Sequence, residues 1–372
     1  MKSIYVLLKK LRRKLIWAVT ELARAGGAKS FRWGGPAGAF SIFENPDAAF
    51  IVVKGQPSIP LSPGSLRDIS HLDQDKNQPW PIFWAHIPHA RLVGDSLAVL
   101  NDKKKIMLES VHGPGHYRTD PSYNYLSLPP PTRLAGAWTS VLGRWCSSGG
   151  SRNYAHWMLD GLPRLALLDR FPSDTRILIP EPLLSYRRDS LKILGVLDRC
   201  RPTPETHLLV ENYYYSSATS MPGCDNPYAI RFLRDRFLKA ASPVALASNK
   251  IYIARKGGAR TPLQEEEMIE FLQGEGWTIL QAEKYSLSEQ IGIFRNARAV
   301  CSIHGAGLTN LLWCDKGSKV LELCADNFLN GSLEGLALCL NLDHRFLVFP
   351  ADSKWRINVD MKKFKAAVAA MG

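Results

Sequence analysis

The chain has 372 residues, 45% of them hydrophobic and 22% charged. That composition excludes a disordered or collagen-like protein, and the length suits two domains better than one core. The formal charge of +13 favours anionic partners (phosphorylated small molecules, a membrane surface, nucleic acid) without choosing among them. Seven scattered cysteines with no C-x-x-C pair argue against a disulfide framework and a zinc site, and for a reducing, cytoplasmic setting.

In residues 1–24 a basic cluster, Lys9, Lys10, Arg12, Arg13 and Lys14, stands among Leu7, Leu8, Leu11, Leu15, Ile16 and Trp17. Charges interrupt the apolar residues too often for a transmembrane span, and the segment makes a poor signal peptide. It fits a basic amphipathic helix lying on an anionic inner membrane face, or an ordinary solvated terminal helix. Residues 25–64 are rich in Gly and Ala and end in Q-P-S-I-P-L-S-P-G. From there to residue 135 short apolar pieces such as Pro81–Trp84 and Arg91–Leu100 read as loops with short strands. L-P-P-P-T, Leu128 to Thr132, is a stiff connector. His86 with His89, and His112 with His116, have metal-like spacing but no matching acids, which argues against a metal site.

After residue 150 short apolar runs alternate with stretches of helical period, the signature of βαβ units around a parallel sheet. Candidate strands are Thr175–Ile179, Leu208–Tyr214, Lys250–Ala254, Trp277–Leu280, Ala299–Ile303, Val320–Leu323 and Arg345–Phe349. Helix starts are marked by Thr261-Pro262 with Gln264, and by Ser286 with Glu289, both of capping-box type. The expected division is a basic segment 1–24, an acceptor-side domain 25–240, a nucleotide-binding domain 241–350, and a tail 351–372 whose helix packs back towards the first domain.

Three stretches carry chemistry. In N-Y-A-H-W-M-L-D-G-L-P-R-L, Asn153 to Leu165, His156 and Asp160 are four apart and share a helix face. They can supply a general base, or simply form an intrahelical hydrogen bond. Pro163 should end or kink that helix near residue 162 and fix Arg164 at a bend. In I-Y-I-A-R-K-G-G-A-R-T-P a strand runs out into Arg255 and Arg260, which suits phosphate oxygens at a strand end or else a solvated basic loop. In S-I-H-G-A-G-L-T-N, His304, Gly305, Ala306 and Gly307 join a buried strand to a helix whose N–H groups can face an anion. Glu322, in K-V-L-E-L, stands at the tip of the next strand, placed for ribose hydroxyls or for capping a helix. No G-x-S-x-G occurs, which argues against that kind of serine hydrolase. No nucleic-acid-reading motif is recognised either.

Taken in order, N-Y-x-H-W-x-L-D-x-L-P-R, I-Y-I-x-R and H-G-A-G-L-T-N-L-L-W followed by K-V-L-E-L resemble glycosyltransferase family 61, over residues 140–345. The resemblance implies an α/β fold of two Rossmann-like domains facing a cleft (GT-B-like). It also implies an inverting transferase that takes a nucleotide-diphosphate sugar as co-substrate, with no cofactor and no metal. By position it puts Asp160 near the acceptor as base with His156 beside it, and Asn153 and Arg164 on the acceptor side. It puts Arg255, Arg260, His304, Gly305, Ala306, Gly307 and Asn310 around the diphosphate, with Glu322 towards the ribose. Gly257-Gly258 thin out the family's arginine loop, which leaves Arg260 less firmly assigned than Arg255. The expected partners are a nucleotide sugar, a glycan or lipid-linked glycan acceptor and an anionic membrane surface, with no nucleic acid. The expected setting is cytoplasmic, peripheral on the inner membrane face, in polysaccharide biosynthesis of bacterial type. A non-catalytic nucleotide- or glycan-binding protein of the same fold is the alternative.

Overall fold

The computed structural model describes residues 31–32, 39–40, 42, 49–54, 66, 82–101, 104–111, 127–148, 152–218, 226–255 and 260–371. The expected amphipathic helix of residues 1–24, the Gly257-Gly258 pair, His112 and His116 lie outside them. Among the described residues no helix is long and apolar enough to cross a membrane.

Strands in chain order are β1 (Phe31–Arg32), β2 (Ala39–Phe40), β3 (Ala49–Lys54), β4 (Ile82–Val93), β5 (Ala98–Leu100), β6 (Ile106–Met107), β7 (Ser127–Leu128), β8 (Thr132–Ser140), β9 (Arg176–Pro180), β10 (Cys200–Thr203), β11 (His207–Ser216), β12 (Lys250–Ile253), β13 (Thr278–Leu280), β14 (Ala299–Ile303), β15 (Lys319–Ala325) and β16 (Asp343–Phe349). They form a nine-stranded sheet, a five-stranded sheet and a two-stranded β1–β7 pair.

The five-stranded sheet runs β13-β12-β14-β15-β16 and is parallel throughout. Both its faces are covered, which is why its strands are continuous apolar runs, such as the wholly buried Ala299–Ile303. Its order reverses between β12 and β14. Outside the carboxyl ends of such a pair lies the crevice where doubly wound sheets hold ligands. The capping box at Ser286 forms as expected and starts the helix Leu287–Arg295. The one at Thr261 does not. That helix is Glu265–Gly274, and the Gln264 side chain instead donates to Asn358 and accepts from the Val359 N–H.

The larger sheet is mixed, which corrects the expectation of a second plain Rossmann-like unit. β10, β9, β8 and β11 are parallel neighbours, but β11 then pairs antiparallel with β4, which continues antiparallel to β3 and β5. Residues 82–93, expected as loops and short pieces, are one twelve-residue strand. Nor does the last helix, Met361–Ala369, pack back towards the first unit. Phe364 and Val368 bury with Met268 and Leu272 on the parallel sheet.

One apolar cluster joins the two units, placing Trp157, Leu162 and Phe237 with Ile293, Leu311 and Trp313. Phe237 stacks on Trp313 with ring centroids 5.4 Å apart. The segment holding His156 is therefore clamped directly over the ends of β14 and β15.

Candidate functional site

A cleft of roughly 720 Å³, its open mouth included, lies between the helical run that starts at Tyr154 and the carboxyl ends of β14 and β15. Its walls include Asn153, His156, Leu159 and Asp160 on one side, and Arg260, His304, Gly305, Ala306, Phe328 and Asn330 on the other.

Asn153 caps the run, its side chain accepting from the Ala155 N–H at 2.8 Å. One α-turn, Tyr154–His156, is followed by a π-turn, Trp157–Gly161, and then by a 3-10 segment, Leu162–Arg170. The geometry changes just where Pro163 was expected to break the helix. The π-turn holds Asp160, a wider turn of the sort that often marks functional helices. His156 Nδ1 donates to Asp160 Oδ2 at 2.6 Å. The carboxylate is 8% exposed and the imidazole 29%, so the ring is the more accessible member of the pair. Trp145 stacks on that ring, centroids 5.6 Å apart at 18°. Burial alone would depress the His156 pKa, but the hydrogen bond and charge of Asp160 outweigh it and the net shift is upward.

Arg164 sits elsewhere. It is buried, with Nη1 donating to Ser216 O at 2.8 Å and Nε to Asp160 O at 3.3 Å, and it braces the run against the end of β11 instead of facing the cleft.

On the opposite wall His304 leaves β14, its backbone N–H bonded to Leu323 O. Its Nδ1 donates to Glu322 Oε1 at 2.5 Å and its ring lies 5.8 Å from that of Phe328. The 3-10 helix Ala306–Trp313 begins at the mouth. The N–H groups of Gly305, Ala306 and Gly307 have no acceptor among the described residues, as befits the first turn of a helix that faces a ligand. A Cβ on Gly305 would collide with the Arg255 guanidinium, so the absence of a side chain there lets that cation lie against the backbone. Gly307 serves close packing, since a Cβ would come within 3.2 Å of Ile253. Arg255 and Arg260 both have pKa values pulled down, chiefly by burial; at Arg260 the charge of Arg255 adds to it. Arg260 lies over the Phe328 ring at 5.0 Å and takes a left-handed backbone, φ 73°. The Glu265 carboxylate offsets part of the lowering at Arg255, accepting from its backbone N–H at 3.2 Å and acting on its charge.

Two expected ligand contacts are internal ties instead. Asn310 is buried, accepting from Tyr154 Oη at 3.1 Å and Trp313 Nε1 at 3.2 Å and donating to Gln290 at 2.9 Å. Glu322 has no exposed surface and cannot meet a ribose. Sequence reasoning missed Trp145, Phe328, Asn330 and His344, the last donating to Glu322 Oε2 at 2.8 Å. For Phe328 and Asn330 a signal existed, because they directly follow a parallel strand on its carboxyl side.

Fold and cleft together define an α/β protein with a crevice at the carboxyl ends of a doubly wound parallel sheet. Residues 154–321 match the family model described as Glycosyltransferase 61. That match supports a glycosyltransferase activity in general. No curated protein matches the chain.

Proposed function

We propose that the chain is an inverting glycosyltransferase with a cleft of GT-B kind, moving a sugar from a nucleotide-diphosphate donor to a hydroxyl of a glycan acceptor. The observation that carries this reading is the facing of two unlike walls. A histidine held by a carboxylate stands across one cleft from two arginines, a second histidine and unpaired N–H groups. In an inverting displacement the acceptor oxygen attacks the anomeric carbon from the side opposite the diphosphate. Its proton must go to a base, and the departing diphosphate gathers negative charge.

His156 takes the proton in this reading, while Asp160 fixes the ring and balances the imidazolium that forms. This reverses the order of the two roles expected from sequence, because the carboxylate already accepts from the ring and is the more buried group. Arg255, Arg260, His304 and the N–H groups of 305–307 meet the charge on the diphosphate, so the transfer runs without a metal ion. Asn153 and Leu159 border the acceptor side. The acceptor belongs to a surface polysaccharide or similar glycan, and residues 1–24 dock the enzyme to the cytoplasmic face of the membrane where a lipid-linked acceptor resides.

A thermal-shift screen against UDP-, GDP-, CMP- and dTDP-sugars tests the donor half, since a ligand at a hundred times its Kd stabilises the fold by about 2.7 kcal/mol. One nucleotide should stand out, and a flat response to all four sinks the proposal. Unchanged membrane partitioning after deletion of residues 1–24 sinks the docking part alone.

A further inference from the structure

Two neighbouring strands of the parallel sheet are each followed, beyond their carboxyl ends, by an aromatic ring. Phe328 comes after β15 and lines the cleft. Trp355 comes after β16, in a short hairpin closed by the antiparallel pairing of Ala351 with Ile357. The two rings lie 5.9 Å apart, and Phe328 is in turn 5.8 Å from the ring of His304. The Arg260 guanidinium sits over Phe328 at 5.0 Å. A row of rings thus leads out of the cleft from the wall that carries the arginines.

Tryptophan is highly buried on average, yet Trp355 is 45% exposed. Its backbone is left-handed, φ 61°, which a bulky residue adopts only where its surroundings impose it. Here they do. Asp352 accepts from the Lys354 and Arg356 N–H groups and from Arg356 Nε, which closes the hairpin on itself. Asp326 accepts from the Ala351 N–H, and Asn327 donates to the Ala351 and Asp352 carbonyls, so the hairpin is tied to the turn that carries Phe328. These polar ties fix the indole without covering it. The row also lies away from the wall of His156. Phe328 packs with Leu323 and Phe364 on one face of the parallel sheet, whereas Trp157 and Leu162, from the run that carries His156, pack with Val300 and Val320 on the other. An acceptor sugar has to approach from the His156 wall. A donor whose diphosphate meets Arg260 and the N–H groups of 305–307 carries its base one ribose further on. Bases stack on aromatic side chains whatever their hydrogen-bonding edge, because every base has a π face.

We propose that Trp355, backed by Phe328, is the stacking platform for the nucleobase of the donor. This rests on the diphosphate reading above. Phe328 is a positioning residue: it supports the indole on one side and, with Arg260 over its ring, joins the platform to the diphosphate groups. Stacking reads a π face and no pattern of donors and acceptors, so the platform supplies affinity for nucleotides as a class.

The test is calorimetry with inorganic pyrophosphate and with UDP, GDP, CDP and dTDP, on the native protein, Trp355→Ala and Trp355→Phe. The tightest nucleoside diphosphate should bind the native protein about tenfold or more tightly than pyrophosphate. In Trp355→Ala its affinity should fall about five- to a hundredfold, the usual effect of removing one stacking ring, while pyrophosphate affinity stays within about twofold. Trp355→Phe should restore most of the loss, and both variants should keep a melting temperature close to native because the ring is so exposed. Nucleotide should also quench part of the native tryptophan fluorescence, and Trp355→Phe, which still binds, should lack that part. Unchanged nucleotide affinity in Trp355→Ala overturns the platform. So does an equal loss for nucleotide and pyrophosphate, which would mean that the indole only props up Arg260, and so does a native protein that binds no nucleotide more tightly than pyrophosphate. If pyrophosphate does not bind but a nucleoside diphosphate does, the diphosphate reading falls, and native against Trp355→Ala still decides the platform. If none of the five binds, both fall.

Discussion

Replacing Asp160 by Asn removes a charge while keeping shape. The 2.6 Å link to His156 is charge-assisted, and such a bond is worth roughly 1.5–3 kcal/mol when shielded. With the ring 29% exposed, a loss of about 1–2 kcal/mol is the better expectation. Its sign with pH follows from the direction of the shift. The His156 pKa is raised in the fold, so the stabilisation is full below the ordinary value near 6.5 and fades as pH climbs through the raised one. Asp160→Asn should therefore lower stability more at pH 6 than at pH 9.

The larger effect is on catalysis. A base must be neutral to work, so the native rate should rise with pH through the raised pKa of His156. Without the carboxylate both raising influences vanish and only burial, which lowers, remains. The limb should move to lower pH while the maximal rate drops about a hundred- to ten-thousandfold, the range spanned by loss of a positioned base and its orienting carboxylate. Single-turnover transfer from pH 5.5 to 9, with donor affinity measured separately by calorimetry, reads both quantities. Donor affinity should stay within about threefold, because the groups proposed to meet the diphosphate lie on the other wall. Turnover within tenfold of native with an unmoved limb refutes the assignment of His156 and Asp160 to proton transfer.

Arg255→Ala should reduce transfer about a hundred- to thousandfold, the usual loss of about 2.7–4 kcal/mol for one preorganised charge-stabilising group; less than tenfold in a kinetic assay counts against it. Gly305→Ala adds a methyl where the Arg255 guanidinium lies. The arginine can swing aside, so the melting temperature should hardly change while donor affinity falls at least tenfold, and unaltered affinity by calorimetry would contradict the packing. Gly292→Ala tests the fold away from the cleft. Its Cβ would overlap the Ser242 carbonyl, so a stability loss of about 1–3 kcal/mol in urea unfolding is expected, and no loss would mean that contact is wrong.

Much of the parallel sheet is legible in sequence because strands buried on both faces appear as unbroken apolar runs. Ala299–Ile303 was read to the residue. The mixed sheet was not. β4 carries Pro88 and a left-handed His89, φ 50°, in its middle, and that break makes one long strand look like fragments and loop. In the cleft, residues at the exits of strands could be found, as with Arg255 and His304. Glu322 was misplaced for a related reason. The run K-V-L-E-L reads as a strand that ends at Leu323, which puts the carboxylate at a tip, but β15 continues to Ala325 and leaves it in mid-strand under a helix. Arg164 was assigned by neighbourhood in sequence, and nothing local foretells that Ser216, fifty-two residues on, takes its guanidinium. Trp145 precedes its partner His156 by a loop with no periodic pattern at all.

The hydrogen bond from Tyr154 to Asn310 has a mechanical consequence. It ties the first turn of the run that carries His156 to the 3-10 helix Ala306–Trp313, which begins at the mouth of the cleft. Arg234, on the helix Pro227–Phe237, adds a second tie by donating to the Leu312 and Cys314 carbonyls. The Phe237–Trp313 stack lies beside both. A hinge between the two walls would have to break these polar bonds and open an apolar core in the same movement. In the reading proposed above, the distance from His156 to the wall that meets the diphosphate is accordingly set by folding and not by the substrate.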